Sequence, residues 1–169
     1  MRPAERIDVD LAAQRLTLRV PGQPPRVYPV STALAGAGEL NGSMMTPRGL
    51  HVVRAKIGAG LPPGAVLVGR RPTGEIWSPA LGEAHPGRDW ILSRVLWLSG
   101  LEPGRNRLGE VDTMRRYIYI HGTPEEDSLG QARSHGCIRM SNTDVIDLFD
   151  RVPPGTEVLI HQGGEGGSP

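Results

Sequence analysis

Residues 117–144, YIYIHGTPEEDSLGQARSHGCIRMSNTD, hold the only cysteine of the chain, Cys137, with His135 two residues before it and His121 sixteen before it. The stretch sets a pattern that the rest of the chain extends. It opens as a strand, RRYIYIH over residues 115–121, β-branched and aromatic throughout. It must turn at His121-Gly122 and crosses a loop containing Ser-His-Gly-Cys. It ends where Ser141, followed three residues later by Asp144, caps an amphipathic helix carrying Val145, Ile146 and Phe149 on one face. Pro153-Pro154-Gly155 stops that helix, and TEVLIH returns as a last strand.

Outward from this stretch the chain reads as β. Residues 6–20 alternate as Ile7/Val9/Leu11 and Leu16/Leu18/Val20 around a short break, the pattern of a hairpin, and RVYPVST supplies a third strand. Residues 35–49 are Gly-rich and aperiodic, a long loop of the kind that usually serves function. LHVVRAKI is a further strand. GEIWSPA and DWILSRVLWLSGL follow around a Gly/Pro/His loop; the second fits a helix by its Ile91/Val95/Leu98 spacing or a strand by its Val95/Trp97 alternation, and is taken as a strand. The expected fold is mainly β, sandwich-like, with one or more short helices. A single domain spans residues 1–162, and residues 163–169 form a disordered tail without apolar content. Trp77, Trp90 and Trp97 are assigned to the core.

Composition narrows the function. Nineteen Lys and Arg balance eighteen Asp and Glu, leaving a formal charge of +1 with no basic block to attract nucleic acid or a membrane surface. Twenty-three glycines and sixteen prolines amount to about twice the ~12% of average usage, which favours turns and strands. No run of ~18 apolar residues spans a bilayer. The charged N-terminus lacks the ~7–15-residue apolar core of a secretory signal, so the expected location is the cytoplasm, or the periplasm if a signal precedes Met1.

A lone cysteine is an inert core residue, a metal ligand, an intermolecular link or a reactive thiol. Its neighbours point to the last. Imidazolium and helix-terminal N–H groups lower a thiol's pKa, and both kinds of helper stand near Cys137 in sequence. His121 at a strand end can serve as its base. Gly136 lets the backbone approach a substrate, leaving the amides of Gly136 and Cys137 to face an oxyanion.

IHGT followed by SHGCIRMSNTD resembles the catalytic signature of the L,D-transpeptidase, or YkuD-like, family, which acts on peptidoglycan stem peptides. The hairpin with YPVSTA and the element TPRGLHVV extend the resemblance from Ile7 to Ile160. The resemblance implies a mostly β sandwich with Cys137 as nucleophile, His121 as general base, and the Gly122 carbonyl as the group orienting that base. It places His135, Gly136 and Cys137 around the oxyanion. Two departures mark this chain: Arg139 stands where the strict pattern has Asn, and the interval from His121 to Ser134 is short. Arg139 and Ser134 are the substrate-binding candidates, Arg139 for a stem-peptide carboxylate; a structural cation and a structural hydroxyl are the alternatives, as a structural imidazole is for His135. No cofactor or metal is implied. The implied substrate is a peptidoglycan tetrapeptide or muropeptide, with carbapenems as covalent inhibitors. Hydrolysis of the diaminopimelate–D-alanine bond, an L,D-carboxypeptidase reaction returning tripeptide to precursor synthesis, is expected over 3,3-type cross-linking or protein anchoring. A zinc site of His121, His135 and Cys137 and a non-catalytic wall-binding module are the rival classes.

Overall fold

Alternating apolar residues build the first hairpin: in β1 (Arg6–Asp10) and β2 (Arg15–Arg19), Ile7 faces Leu18 and Val9 faces Leu16, all four buried. The computed structural model describes residues 4–163. β3 (Arg26–Pro29) extends β2, while β1 pairs in parallel with the last strand, β10 (Glu157–His161). β10 lies against β4 (Gly49–Ile57), and β4 against the ten-residue β7 (Ile91–Gly100), so DWILSRVLWLSGL is a strand. β7 also pairs with β5 (Ala65–Val68), which forms a hairpin with β6 (Arg71–Ile76).

Two short strands carry the signature. β8 (Tyr119–Gly122) pairs antiparallel with β7, and β9 (Ile138–Met140) runs parallel to β8, putting His121 beside Arg139. All ten strands join in one curled sheet wrapped around an aliphatic core. The helix α2 (Asn142–Arg151) closes that core with Val145, Leu148 and Phe149, and Ser141 caps it by accepting from the Asp144 amide at 3.0 Å. The fold is mainly β with two helices, as expected.

Three expectations change. Residues 115–117 are turn and Ile118 lies outside the strand, because Arg116 is drawn sideways to the carbonyls of Gly38, Glu39 and Met45, and Tyr117 takes a left-handed conformation with φ 56°. GEIWSPA does not stay extended: Ser78 accepts from the Leu81 amide and Pro79 opens α1 (Pro79–Ala84), the Ser-Pro start that favours a helix. Trp97 packs against the cluster of Leu67, Val95 and Tyr119 as expected, whereas Trp77 and Trp90, neither fully buried, line a cavity. Of the tail, Gly163 donates to His161 Nδ1, and the rest lies outside the described residues. Among the described residues no helix is long and apolar enough to cross a membrane.

His51 on β4 is fully buried, donating Nδ1–H to Gly49 O at 3.0 Å and accepting at Nε2 from Thr113 Oγ1 at 3.0 Å. Burial pushes its pKa from 6.5 down to about 4. In acid the unfolded chain therefore takes a proton that the folded chain refuses. Stability present above pH 6.5 is lost as pH falls towards 4, by roughly 3 kcal/mol from this residue. Urea unfolding of wild type and His51→Gln at pH 7 and pH 4.5 should show a shallower loss in the variant; equal losses would mean that His51 is not the sensor.

Candidate active site

The turn that carries Cys137 is fixed from below by buried hydroxyls. Ser134 Oγ donates to Cys137 O at 2.5 Å and accepts from the Gly136 amide at 3.2 Å. Thr46 Oγ1, fully buried at the start of the Thr-Pro-x-Gly element, donates to Gly136 O at 2.9 Å and accepts from the Ala33 amide. Gly136 sits at φ 129°, where a Cβ would come within 3.3 Å of Ile118 Cδ1 and Met45 O, so the turn requires glycine.

β8 delivers His121 to the same cavity, of about 430 Å³, that Cys137 lines. The imidazole is 1% exposed, and its Nδ1 lies 2.8 Å from Gly122 O. A carbonyl only accepts, so Nδ1 holds the hydrogen and Nε2 keeps its lone pair. Gly122 is a glycine for want of space: a Cβ there would meet Leu92 O at 2.6 Å and Asn142 Oδ1 at 2.5 Å.

The thiol is parked away from the base. Sγ donates to Tyr117 O and accepts from the Tyr119 amide, both at 3.3 Å, and makes no hydrogen bond to His121. Burial pushes the thiol up to about 11, against the opposing pull of the Tyr119 amide, Arg139 and Arg116. Burial lowers the pKa of His121, outweighing its bond to Gly122 and the charge of Asp89. Both shifts favour the neutral form, and the thiol is held by the backbone of Tyr117 and Tyr119 rather than by His121. The expectation of a thiol activated by an imidazolium and a helix end is thus corrected. α2 begins at Asn142, with β9 between it and Cys137, too far along the chain for its first amides to reach Sγ.

The other expected site residues divide. His135 is exposed and lines the Cys137 cavity and an adjoining one of about 620 Å³, which rules out a buried structural imidazole. Ser134 is 1% exposed with its hydroxyl committed inside the turn; it holds the site and offers substrate nothing. The Gly136 amide points at Ser134 rather than at an oxyanion, leaving the N–H groups of His135 and Cys137 as the candidate donors. Arg139 is not an open cation: Nη1 bonds Glu125 at 2.9 Å and Nη2 bonds Asp89 at 3.3 Å, while its own side chain is buried and both carboxylates are more than half exposed. His121, His135 and Cys137 do not form a ligand trio, and among the described residues no group of three or more His, Cys, Asp or Glu is placed to hold a metal ion. Sequence reasoning missed Thr46, whose signal is the Thr-Pro-x-Gly element itself, and Asp89, which no local motif marks.

The L,D-transpeptidase catalytic-domain (YkuD) family model matches residues 4–160. The Escherichia coli (strain K12) protein named probable L,D-transpeptidase YcfS is 30% identical over 165 residues, covering 94% of this chain and 44% of its own. An L,D-transpeptidase from Mycobacterium smegmatis superposes with a TM-score of 0.59 at 20% identity, over 94% of this chain and 58% of that one. L,D-transpeptidase 3 from Mycobacterium tuberculosis, in complex with a faropenem-derived adduct, gives 0.56 at 19% identity, over 94% and 60%. At such identities the structures establish likeness of fold, and this chain spans about half the length of these relatives. With the family model covering nearly the whole chain, and the Cys-His pair of its signature meeting in one cavity, the chain belongs to the L,D-transpeptidase catalytic-domain family.

Proposed function

We propose that this domain transfers the acyl group of a peptidoglycan stem tetrapeptide through a thioester on Cys137. The observation that carries the reading is the meeting of Cys137 and His121 in one cavity, with His121 Nδ1–H held by Gly122 O and Nε2 left basic. Rotation of the Cys137 side chain off Tyr117 O brings Sγ to the diaminopimelate carbonyl as His121 Nε2 takes the thiol proton. The Cys137 amide stabilises the oxyanion. The C–N bond to D-alanine then breaks, His121 returns the proton to the leaving amine, and the thioester remains. A second nucleophile attacks it, giving its proton to His121 and restoring the thiol.

An amine of a second stem is the acceptor best supported. The larger cavity abuts the first, shares Asp89, His135 and Arg139 with it, and adds Glu83 and Glu125, carboxylates suited to an ammonium group. Arg139 orients Asp89 and Glu125 along that seam. Hydrolysis to tripeptide is the second reading, favoured by the partial exposure of Cys137, which leaves a thioester open to water. It would suit soluble stem peptides in the cytoplasm; amine transfer would suit the wall. β-Lactams, whose strained amide mimics the scissile one, should acylate the same thiol.

Purified protein incubated with tetrapeptide and followed by mass should release D-alanine. Dimers joined between two diaminopimelates establish transpeptidation, tripeptide alone establishes the carboxypeptidase, and unconsumed tetrapeptide sinks both.

A further inference from the structure

The hairpin β5–β6 turns through only two residues, Gly69 at φ 55° and Arg70 at φ 63°. Two successive left-handed residues make the turn shape that Asn and Gly favour, and a long side chain is uncommon in its second place. The arginine held there is partly exposed and folds back over aromatic side chains. Its guanidinium carbon lies 4.6 Å from the centre of the Trp97 ring and 5.1 Å from that of Tyr117, and Nη1 donates to Tyr119 Oη at 3.1 Å. It lines the Cys137 cavity.

The residues that carry Arg70 are those that flank the nucleophile. Tyr117 offers its ring to Arg70 and its carbonyl to the Cys137 thiol; Tyr119 offers its hydroxyl to Arg70 and its amide to Sγ. Three residues of backbone therefore fix the guanidinium relative to the sulfur. Three arginines line this cavity, and they differ in what satisfies them. Arg139 is neutralised by Glu125 and Asp89, and Arg116 is spent on the carbonyls of Gly38, Glu39 and Met45 and on Ser43 Oγ. Arg70 has only neutral partners, and among the described residues no carboxylate pairs with it. Stacking leaves the edge of the planar guanidinium available for a two-point bond to a carboxylate.

We infer that Arg70 is a specificity-determining residue that binds a carboxylate of the acyl donor beside Cys137, the role expected of Arg139 from the sequence. The inference takes its substrate from the acyl-transfer reading above. Two donor carboxylates qualify, that of the terminal D-alanine and that on the side chain of diaminopimelate.

The test uses two independent readouts. Cys137, the only thiol, is alkylated with bromoacetyl-D-alanine and with bromoacetyl-D-alaninamide, and the ratio of the two rates cancels any change in thiol reactivity. The ratio should fall ~10-fold in Arg70→Ala, the scale of one charge-assisted hydrogen bond, and recover in part in Arg70→Lys. This readout stands even if no tetrapeptide is consumed. In turnover, Arg70→Ala should lower kcat/KM for the tetrapeptide, and amidation of the carboxylate that Arg70 holds should remove the difference between variant and wild type; separate amidation at D-alanine and at diaminopimelate identifies which. An unchanged alkylation ratio overturns the inference unless amidation at diaminopimelate removes the variant's effect on turnover, and a variant effect that survives both amidations overturns it outright.

Discussion

Cys137→Ala is expected to lose all turnover of tetrapeptide while remaining folded. No second thiol exists to take over, and the variant keeps the turn built by Ser134, Thr46 and Gly136, none of which bonds through sulfur. What the folded state loses is two weak sulfur hydrogen bonds and a small contact with the cluster of Leu67, Val95 and Tyr119, a cost on the order of 1 kcal/mol. Thermal melting should therefore shift by a few degrees only. Mass spectrometry offers a parallel readout: a carbapenem should add its mass to wild type and nothing to the variant. Residual turnover at the wild-type rate would eliminate the thioester, and with it every acyl-transfer reading of this site.

His121→Ala should slow acylation by ~10²–10⁴-fold, the range for a lost general base. Its pH dependence is the sharper test. In wild type both groups rest neutral, so kcat/KM should be flat from about neutral pH upwards and fall only in acid, as His121 takes a proton below its ordinary 6.5. Without the imidazole the rate should instead climb with pH towards about 11, because ionisation of the thiol then depends on solvent. A profile bounded by a low thiol pKa and a high imidazole pKa would show a resting thiolate–imidazolium pair and contradict this electrostatic picture. His135→Ala should cost less, since His135 is exposed at the seam of the two cavities, whereas His121 is buried with its Nδ1–H held by Gly122 O. A larger loss there would exchange the two histidines. Removing His121 also leaves the Gly122 carbonyl without its donor, so melting curves must accompany the kinetics.

By itself the sequence determined the class of fold and the family. Period-two alternation at Ile7/Val9 and Leu16/Leu18 is a local property, since each side chain's face follows from its own position in the strand, and those hairpin faces are the buried ones. The Ser141 cap is equally local, acting over three residues. The Cys-His-Gly order and its spacing were legible because the family signature is short and contiguous. Tertiary structure alone decided what each polar group is free to do. Arg139, Arg116 and Arg70 are the same residue type, yet carboxylates 14 and 50 residues away neutralise the first, loop carbonyls up to 78 residues away consume the second, and aromatic rings present the third to the cavity. The strand forecast at residues 115–118 failed for the same reason, a distant set of acceptors outbidding local β propensity. Ionisation follows suit: the thiol and the imidazole are both pushed towards neutrality by burial, and burial is a sum over neighbours brought together from the whole chain.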